Sequence, residues 1–146
     1  MTMKIYLDNC CFNRPFDDQS QIRIRLESEA KLRIQDDLVE EKFELVWSYI
    51  LDAENRANPF EERMNAISDW KKQATEVIKE NKKILDKAKK LKEIGLSSKD
   101  ALHISCAISA KCKYFLTTDD KILNKNNLIK EIIIIDPIGF IKEVCL

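Results

Sequence analysis

The sequence has few of the residues that indicate an all-β fold or a zinc-binding fold. Only two of its 146 residues are glycine and three are proline, which argues against a β fold rich in tight turns. A single histidine and five cysteines without Cys-x-x-Cys spacing argue against a zinc site. We therefore expect reduced and mostly buried thiols at Cys10, Cys11, Cys106, Cys112 and Cys145.

The chain also lacks a long apolar run and a net charge. No apolar stretch is long enough to span a bilayer, and the first residues do not have the layout of a signal peptide. The sequence therefore predicts a cytoplasmic protein without a membrane partner. The 25 basic and 25 acidic residues cancel, so no overall field attracts nucleic acid. An anionic polymer would have to be bound by local charge or through metal ions.

Short β-prone runs alternate with helical patterns along the whole chain. This alternation predicts one α/β domain over residues 1–146, with a parallel sheet covered by helices on both faces. The predicted strands are Ile5–Leu7, Phe43–Ser48, Tyr114–Leu116 and Ile132–Ile135. The first predicted helices are Ser20–Val39, with Ser20 as N-cap, and Tyr49–Asn58. Two more are predicted between Phe60 and Ile94, with a break near 79–83. The last three are Ser97–Ala110, a short helix that begins at Asp119 or Asp120, and Ile138–Val144. In the first of these helices, Ile22, Leu26, Ala30, Ile34 and Leu38 recur every four residues and are expected to face the core.

Acidic side chains follow two of the predicted strands directly. Asp8 and Asn9 follow the first strand, and Asp119 and Asp120 follow the strand that begins at Tyr114. Ligands of open α/β sheets bind in the crevice beyond the carboxyl ends of the strands. Two strands that deliver carboxylates to one edge therefore suggest a cation site.

Two further acids, Glu54 and Asp100, lie near the ends of predicted helices. Each acid taken alone has an ordinary explanation: Asp8 or Asp119 as a turn or helix cap, Glu54 as a solvated residue, and Asp100 as part of a capping box with Ser97. Together they form an oxygen-rich set that suits Mg²⁺ bound against a phosphodiester. The chain has neither a phosphate-binding glycine loop nor a serine nucleophile elbow.

These motifs, in this order, resemble the PIN domain family. The resemblance is carried by Ile5-Tyr6-Leu7-Asp8, by Ser48 with Glu54 six residues later, by Asp100-Ala101-Leu102-His103-Ile104-Ser105-Cys106-Ala107, and by Phe115-Leu116-Thr117-Thr118-Asp119. It implies a three-layer α/β/α fold with a five-stranded parallel sheet, and a Mg²⁺- or Mn²⁺-dependent endoribonuclease of the kind found as toxins in toxin–antitoxin pairs. The chain departs from the family in having Asn9 where a small hydroxyl residue usually follows the first acid.

The resemblance also implies roles for individual residues. It places the catalytic acids at Asp8, Glu54, Asp100 and Asp119. Asp8, Asp100 and Asp119 would ligate metal, while Glu54 would ligate a second ion or orient the attacking water. Asp119 is preferred to Asp120, which we expect to cap the following helix, although the frame shifted by one residue also fits. The partners that this interpretation considers are an RNA substrate, an antitoxin protein and a second copy of the chain.

Substrate-positioning roles are considered for Asn9, Thr117, Arg14 and Arg56. His103 could touch substrate, although a hydrogen-bonded structural role is the more common fate of such a residue. The lysines in 79–92 could bind RNA phosphates, but their interleaved acids favour a solvated helix face. Two alternatives to the ribonuclease are a non-catalytic PIN-like module that binds RNA or protein, and a DNA or flap nuclease with the same ions.

Overall fold

The centre of the protein is a parallel β-sheet, as the alternation of elements predicts. The computed structural model describes residues 2–145, without the side chain of Cys145. Its strands are β1 (Lys4–Leu7), β2 (Glu44–Ser48), β3 (Ala74–Ile78), β4 (Tyr114–Leu116) and β5 (Ile133–Ile135). They lie in the order β3-β2-β1-β4-β5, and every neighbouring pair is parallel. The apolar runs of β1, β2 and β4 are buried, as expected for strands covered on both faces.

Helices complete a three-layer α/β/α architecture, which confirms the predicted fold class. Within residues 2–145 the α-helices are α1 (Asn9–Asn13), α2 (Ile22–Val39), α3 (Tyr49–Arg56), α4 (Glu61–Trp70), α5 (Lys82–Lys92), α6 (Ser98–Ser109), α7 (Asp120–Leu123) and α8 (Pro137–Phe140). A π-helical turn, Ile141–Cys145, continues α8. Helix α5 packs on α6, and α2 packs on α8. None of the described helices has the length and apolar character needed to cross a membrane.

The strand β3 was missed from residue patterns alone. The sequence predicts two helices over 60–94 that break near 79–83, but α4 ends at Trp70 and β3 occupies Ala74–Ile78. Residues along β3 alternate between half-buried and exposed, because β3 is an edge strand that pairs only with β2 in the described sheet. The charged residues around it hide this alternation. It is the fifth strand that the family resemblance implies.

Two of three predicted serine caps are present. The Ser48 hydroxyl oxygen accepts a hydrogen bond from the Leu51 amide at 3.3 Å, and the Ser97 hydroxyl oxygen accepts one from the Asp100 amide at 3.1 Å. The prediction for Ser20 was wrong, because α2 begins two residues later and no side chain caps it.

The inward face of α2 also differs from its apolar pattern. Ile22 and Leu26, which are expected to face the core, are 64% and 47% exposed, whereas Glu27 and Lys31 are buried. Glu27 is neutralised by arginines described below, and the Lys31 ammonium lies over the Phe12 ring at 5.2 Å. Buried ion pairs and aromatic contacts thus replace the apolar stripe in the first half of α2.

β1 is the central strand of the sheet. β2 and β3 lie on one side of it, and β4 and β5 lie on the other. Because Leu7 is paired with Leu116, β1 and β4 end at the same level. Their carboxyl ends therefore form the crevice at a topological switch point, where ligands of such sheets bind. Asp8 and Thr117 are the first residues beyond this edge.

Candidate metal centre

Asp8 is held in a buried position at the end of β1. It is only 6% exposed, and it is the N-cap of α1. One carboxylate oxygen, Oδ1, accepts a hydrogen bond from the Asn9 amide at 2.8 Å. The other, Oδ2, accepts one from the Thr117 hydroxyl at 2.8 Å. The turn from strand to helix thus fixes the direction of the carboxylate before any ligand binds.

Thr117 links the acids that follow β1 and β4. Its hydroxyl oxygen donates to Asp8 and also accepts a hydrogen bond from the Asp119 amide at 3.1 Å. Thr117 is 0% exposed, so substrate cannot touch it in this conformation. The structure corrects its expected role: Thr117 acts on the site by orienting Asp8.

Glu54 on α3 reaches the same edge and meets His103 on α6. The His103 Nε2 atom contacts Glu54 Oε1 and lies 3.9 Å from Asp8 Oδ1. The opposite ring nitrogen, Nδ1, lies 2.6 Å from the Tyr6 hydroxyl, which is 2.5 Å from Ser48 Oγ. His103 is fully buried and both of its ring nitrogens have partners, so it positions Glu54 and does not contact substrate.

The charges around Glu54 favour its ionised form. Burial raises the pKa of Glu54, but the hydrogen bond and charge of His103 and the charge of Lys99 outweigh it, so the pKa lies below its usual value. The Lys99 ammonium is 3.9 Å from Glu54 Oε2. Asp8, Glu54 and His103 offer ligand atoms that all lie within 4.8 Å of one another.

Asp100 lies in the first turn of α6, within the electrostatic field of the other acids. Partial burial is the largest cause that raises the pKa of Asp100 above its usual value, and the hydrogen bond at Ser97 opposes it. The carboxylates of Asp8 and Asp119 raise that pKa further. Asp100 and Asp119 thus act on the site electrostatically, whereas the described ligand atoms that lie within 4.8 Å of one another belong to Asp8, Glu54 and His103.

Asp119 and Asp120 have different environments. Asp119 caps α7, since its Oδ1 accepts a hydrogen bond from the Lys121 amide at 2.9 Å. Asp120 is exposed, and its two carboxylate oxygens accept hydrogen bonds from Arg23 at 2.8 and 2.9 Å. The expectation that Asp120 caps the helix was therefore wrong. Asp119 extends from the same edge of the sheet as Asp8, whereas Asp120 forms a surface ion pair.

Neither arginine considered for substrate positioning is paired with the four acids. Arg14 donates to Glu27 at 2.9 Å and to Asp17 at 3.1 Å, and Arg56 is exposed in the last turn of α3. Asn9 does lie at the site: its side-chain amide donates to Glu54 Oε2 at 3.4 Å. Its Oδ1 atom is buried and has no hydrogen-bond partner among the described residues.

Comparison with known proteins identifies the family. The family model "PIN domain" matches residues 5–128. The chain belongs to the PIN domain family. Solved structures share this fold over nearly the whole chain. The structure of VapBC-1 from nontypeable Haemophilus influenzae matches with a TM-score of 0.62 and 19% sequence identity, and the match covers 92% of this chain and 98% of that chain. VapBC2 from Rickettsia felis, bound to a DNA fragment from its promoter, is 15% identical with a TM-score of 0.57, covering 90% and 97%. No curated protein sequence matches the chain.

The residues of this PIN domain fit a hard divalent cation. Carboxylate and amide oxygens are the ligands that Mg²⁺ and Mn²⁺ prefer, and the site supplies them from β1, α3, α6 and the segment after β4. The unpartnered Asn9 Oδ1 is a buried acceptor at the same place. Two of the three close ligand atoms are carboxylate oxygens, and the nitrogen of the third, His103, already contacts Glu54, so the available donors are mainly oxygen.

Of the residues that line the cleft beside Glu54, the sequence pointed only to Asn9. This cleft is lined by Asn9, Asn13, Ala57, Asn58, Pro59, Phe60, Arg63 and Lys99. Asn9 and Asn13 are spaced by four residues on a helix, which is the only local signal that places them together. The other lining residues come from the α3–α4 connection, from α4 and, in the case of Lys99, from α6, and their meeting depends on tertiary packing.

Proposed function

We propose that this PIN domain is a divalent-metal-dependent endoribonuclease. The observation that carries the proposal is the group of acids beside the carboxyl ends of β1 and β4. Asp8 and Glu54 lie within 4.8 Å of each other at their ligand atoms, and the pKa of Asp100 is raised by its burial and further by the charges of Asp8 and Asp119. Clustered carboxylates are costly unless a cation offsets their repulsion.

Each acid has a role in this proposal. Asp8, Asp100 and Asp119 would ligate Mg²⁺ or Mn²⁺, and Glu54 would ligate a second ion or orient the attacking water. The bound ion supplies Lewis acidity, activates water and offsets charge on the phosphate. Thr117 and the Asn9 amide hold Asp8 in one orientation, and His103 with Tyr6 does the same for Glu54. Such outer contacts determine where ligand atoms can reach a metal.

We further propose that the chain is the toxin of a toxin–antitoxin pair. The PIN family resemblance and the two VapBC structures that share its fold support this proposal. It implies an antitoxin protein as a binding partner and leaves pairing with a second copy of the chain as a separate question.

The test is cleavage of a mixed RNA pool in parallel with single-stranded and duplex DNA. We expect RNA cleavage with Mn²⁺ or Mg²⁺, none in EDTA, and none by Asp8→Asn in either ion. Cleavage of DNA alone would indicate the DNA nuclease. RNA binding without cleavage in any divalent ion would indicate a non-catalytic module, and full activity in EDTA would contradict the metal mechanism.

A further inference from the structure

The cleft beside the acids has the size and position to take a neighbouring nucleotide. Its volume is about 320 Å³, near the lower end for ligand pockets. Asn9 and Glu54 belong both to this cleft and to the acidic site. A strand whose scissile phosphate lies at the acids therefore has an adjacent nucleotide within reach of the cleft.

An aromatic ring and a guanidinium form a stacking surface in this cleft. Phe60 is 57% exposed, and the Arg63 guanidinium lies 4.7 Å from its ring centroid. Arg63 is fixed in place by the Asp17 carboxylate at 3.3 Å and the Phe16 carbonyl at 2.8 Å. Single-stranded bases stack on aromatic rings and on arginine planes. This surface is therefore formed before substrate arrives.

Asparagine amides line the cleft in a hydrogen-bonded row. The Asn13 amide donates to the Asn9 carbonyl at 3.0 Å, and the Asn58 amide donates to Asn13 Oδ1 at 3.3 Å. Asn58 Oδ1 accepts from the Phe60 amide at 3.1 Å, so the amide is held next to the aromatic ring. Asparagine side chains recognise the edges of unpaired bases.

The polar lining distinguishes a nucleotide from a protein side chain as the occupant. Lys99 is 63% exposed at its side chain and lies at the same rim, where it suits a phosphate. The core of a protein–protein contact would instead be lined mainly by apolar residues. We propose that this cleft is a base-specific subsite for one nucleotide of single-stranded RNA next to the cleaved bond. This inference rests on the proposed ribonuclease function.

The test is binding of a fluorescein-labelled, 12-nucleotide single-stranded RNA pool in EDTA, which prevents metal-dependent cleavage. Phe60→Ala should weaken binding roughly tenfold, since a stacked base contributes on the order of 1–3 kcal/mol. Phe60→Trp should retain the affinity. The matched control is Leu128→Ala, an apolar side chain of similar exposure (59%) in the 3₁₀ turn Asn126–Leu128, and it should bind like the wild type.

A second measurement compares cleavage sites in a randomised RNA with Mn²⁺. Phe60→Ala should lose base preference at one position beside the cleaved bond, and Phe60→Trp should keep it. Unchanged binding and unchanged preference in Phe60→Ala would overturn the subsite while leaving the nuclease intact. Phe60-dependent binding without cleavage in any divalent ion would leave a base-binding cleft but overturn both the nuclease and the place of the cleft beside a cleaved bond. Absence of RNA binding by the wild type in EDTA would overturn the subsite, and absence of RNA cleavage in any divalent ion as well would overturn both.

Discussion

Two groups of acids lie close to each other in this protein, and they differ in whether arginine side chains form ion pairs with them. The paired acids, which form ion pairs with arginines, are Asp17, Glu27 and Asp120. The open acids are Asp8 and Asp119, which follow β1 and β4, together with Glu54 on α3 and Asp100 on α6. Within residues 2–145 no arginine or lysine lies within 4.0 Å of the carboxylates of Asp8, Asp100 or Asp119, and only Lys99 approaches Glu54.

The difference shows which acids stabilise the fold and which are available to a ligand. Glu27 is fully buried, and Arg14 at 2.9 Å and Arg23 at 3.3 Å offset its charge. A buried charge without such a partner would strongly destabilise the fold. Among the open acids, Asp100 has a raised pKa chiefly because it is partly buried, and repulsion from Asp8 and Asp119 raises that pKa further. A protein retains such repulsion most readily where a bound cation removes it.

The largest expected effect follows from removal of an open acid. Asp8→Asn should reduce metal-dependent RNA cleavage roughly 1,000-fold or more, because a metal site contributes several kcal/mol to the transition state. Its thermal unfolding midpoint without metal should stay close to that of the wild type, since asparagine also caps a helix. A large loss of stability in calorimetry would instead assign Asp8 a structural role.

Removal of a paired acid should lower stability and leave RNA cleavage nearly unchanged, the opposite of what is expected for an open acid. Glu27→Gln should lower the free energy of unfolding by about 2 kcal/mol, less than the usual cost of breaking a buried pair, because Arg14 and Arg23 each keep a second acid. RNA cleavage at 25 °C should change little. Urea denaturation measures the first effect, with the exposed Glu29→Gln as the matched control. A stable but inactive Glu27→Gln would contradict the division into two groups.

His103 contacts the open acid Glu54 but is itself buried, so its effect on catalysis can be separated from any contact with RNA. His103→Gln should lower kcat roughly 10- to 100-fold, as expected when a residue that orients a ligand group is lost. The KM for RNA should stay nearly constant, since His103 is fully buried. Steady-state kinetics separates the two quantities. A change in KM alone would place His103 in RNA binding.

A smaller effect concerns Lys31 on α2, whose charged form is disfavoured by burial. Burial lowers the pKa of Lys31 from its usual value to about 7. The unfolded chain therefore binds more protons between pH 7 and pH 10, so stability should rise with pH in that window. Lys31→Met should stabilise the protein at pH 7 by roughly 1–2 kcal/mol and flatten this rise in denaturation curves recorded at several pH values. An unchanged pH profile would contradict the buried cation.

The sequence predicted the positions of the open acids better than the contacts around them. The positions of Asp8 and Asp119 at one edge of the sheet could be predicted because each follows an apolar strand, and the carboxyl ends of parallel strands lie at one edge. The hydrogen bonds made by Thr117, His103 and Tyr6 join residues that are far apart in the sequence, so no local spacing of residues predicts them. Glu27 and Lys31 were not expected inside for the same reason: Arg23 lies one turn before Glu27, but the contacts with Arg14 and Phe12 join α2 to α1 and the residues that follow α1. Strand β3 was missed because an edge strand can carry many charged residues.

The most direct test of the account is Mn²⁺ binding to Asp119→Asn and Asp120→Asn, measured for the folded protein by electron paramagnetic resonance. The two positions are adjacent, yet Asp119 is an open acid and Asp120 is paired with Arg23. We expect Asp119→Asn to lose most of its Mn²⁺ affinity and Asp120→Asn to bind as the wild type does. Equal affinities in the two variants, or a loss confined to Asp120→Asn, would contradict the assignment of the metal to the open acids.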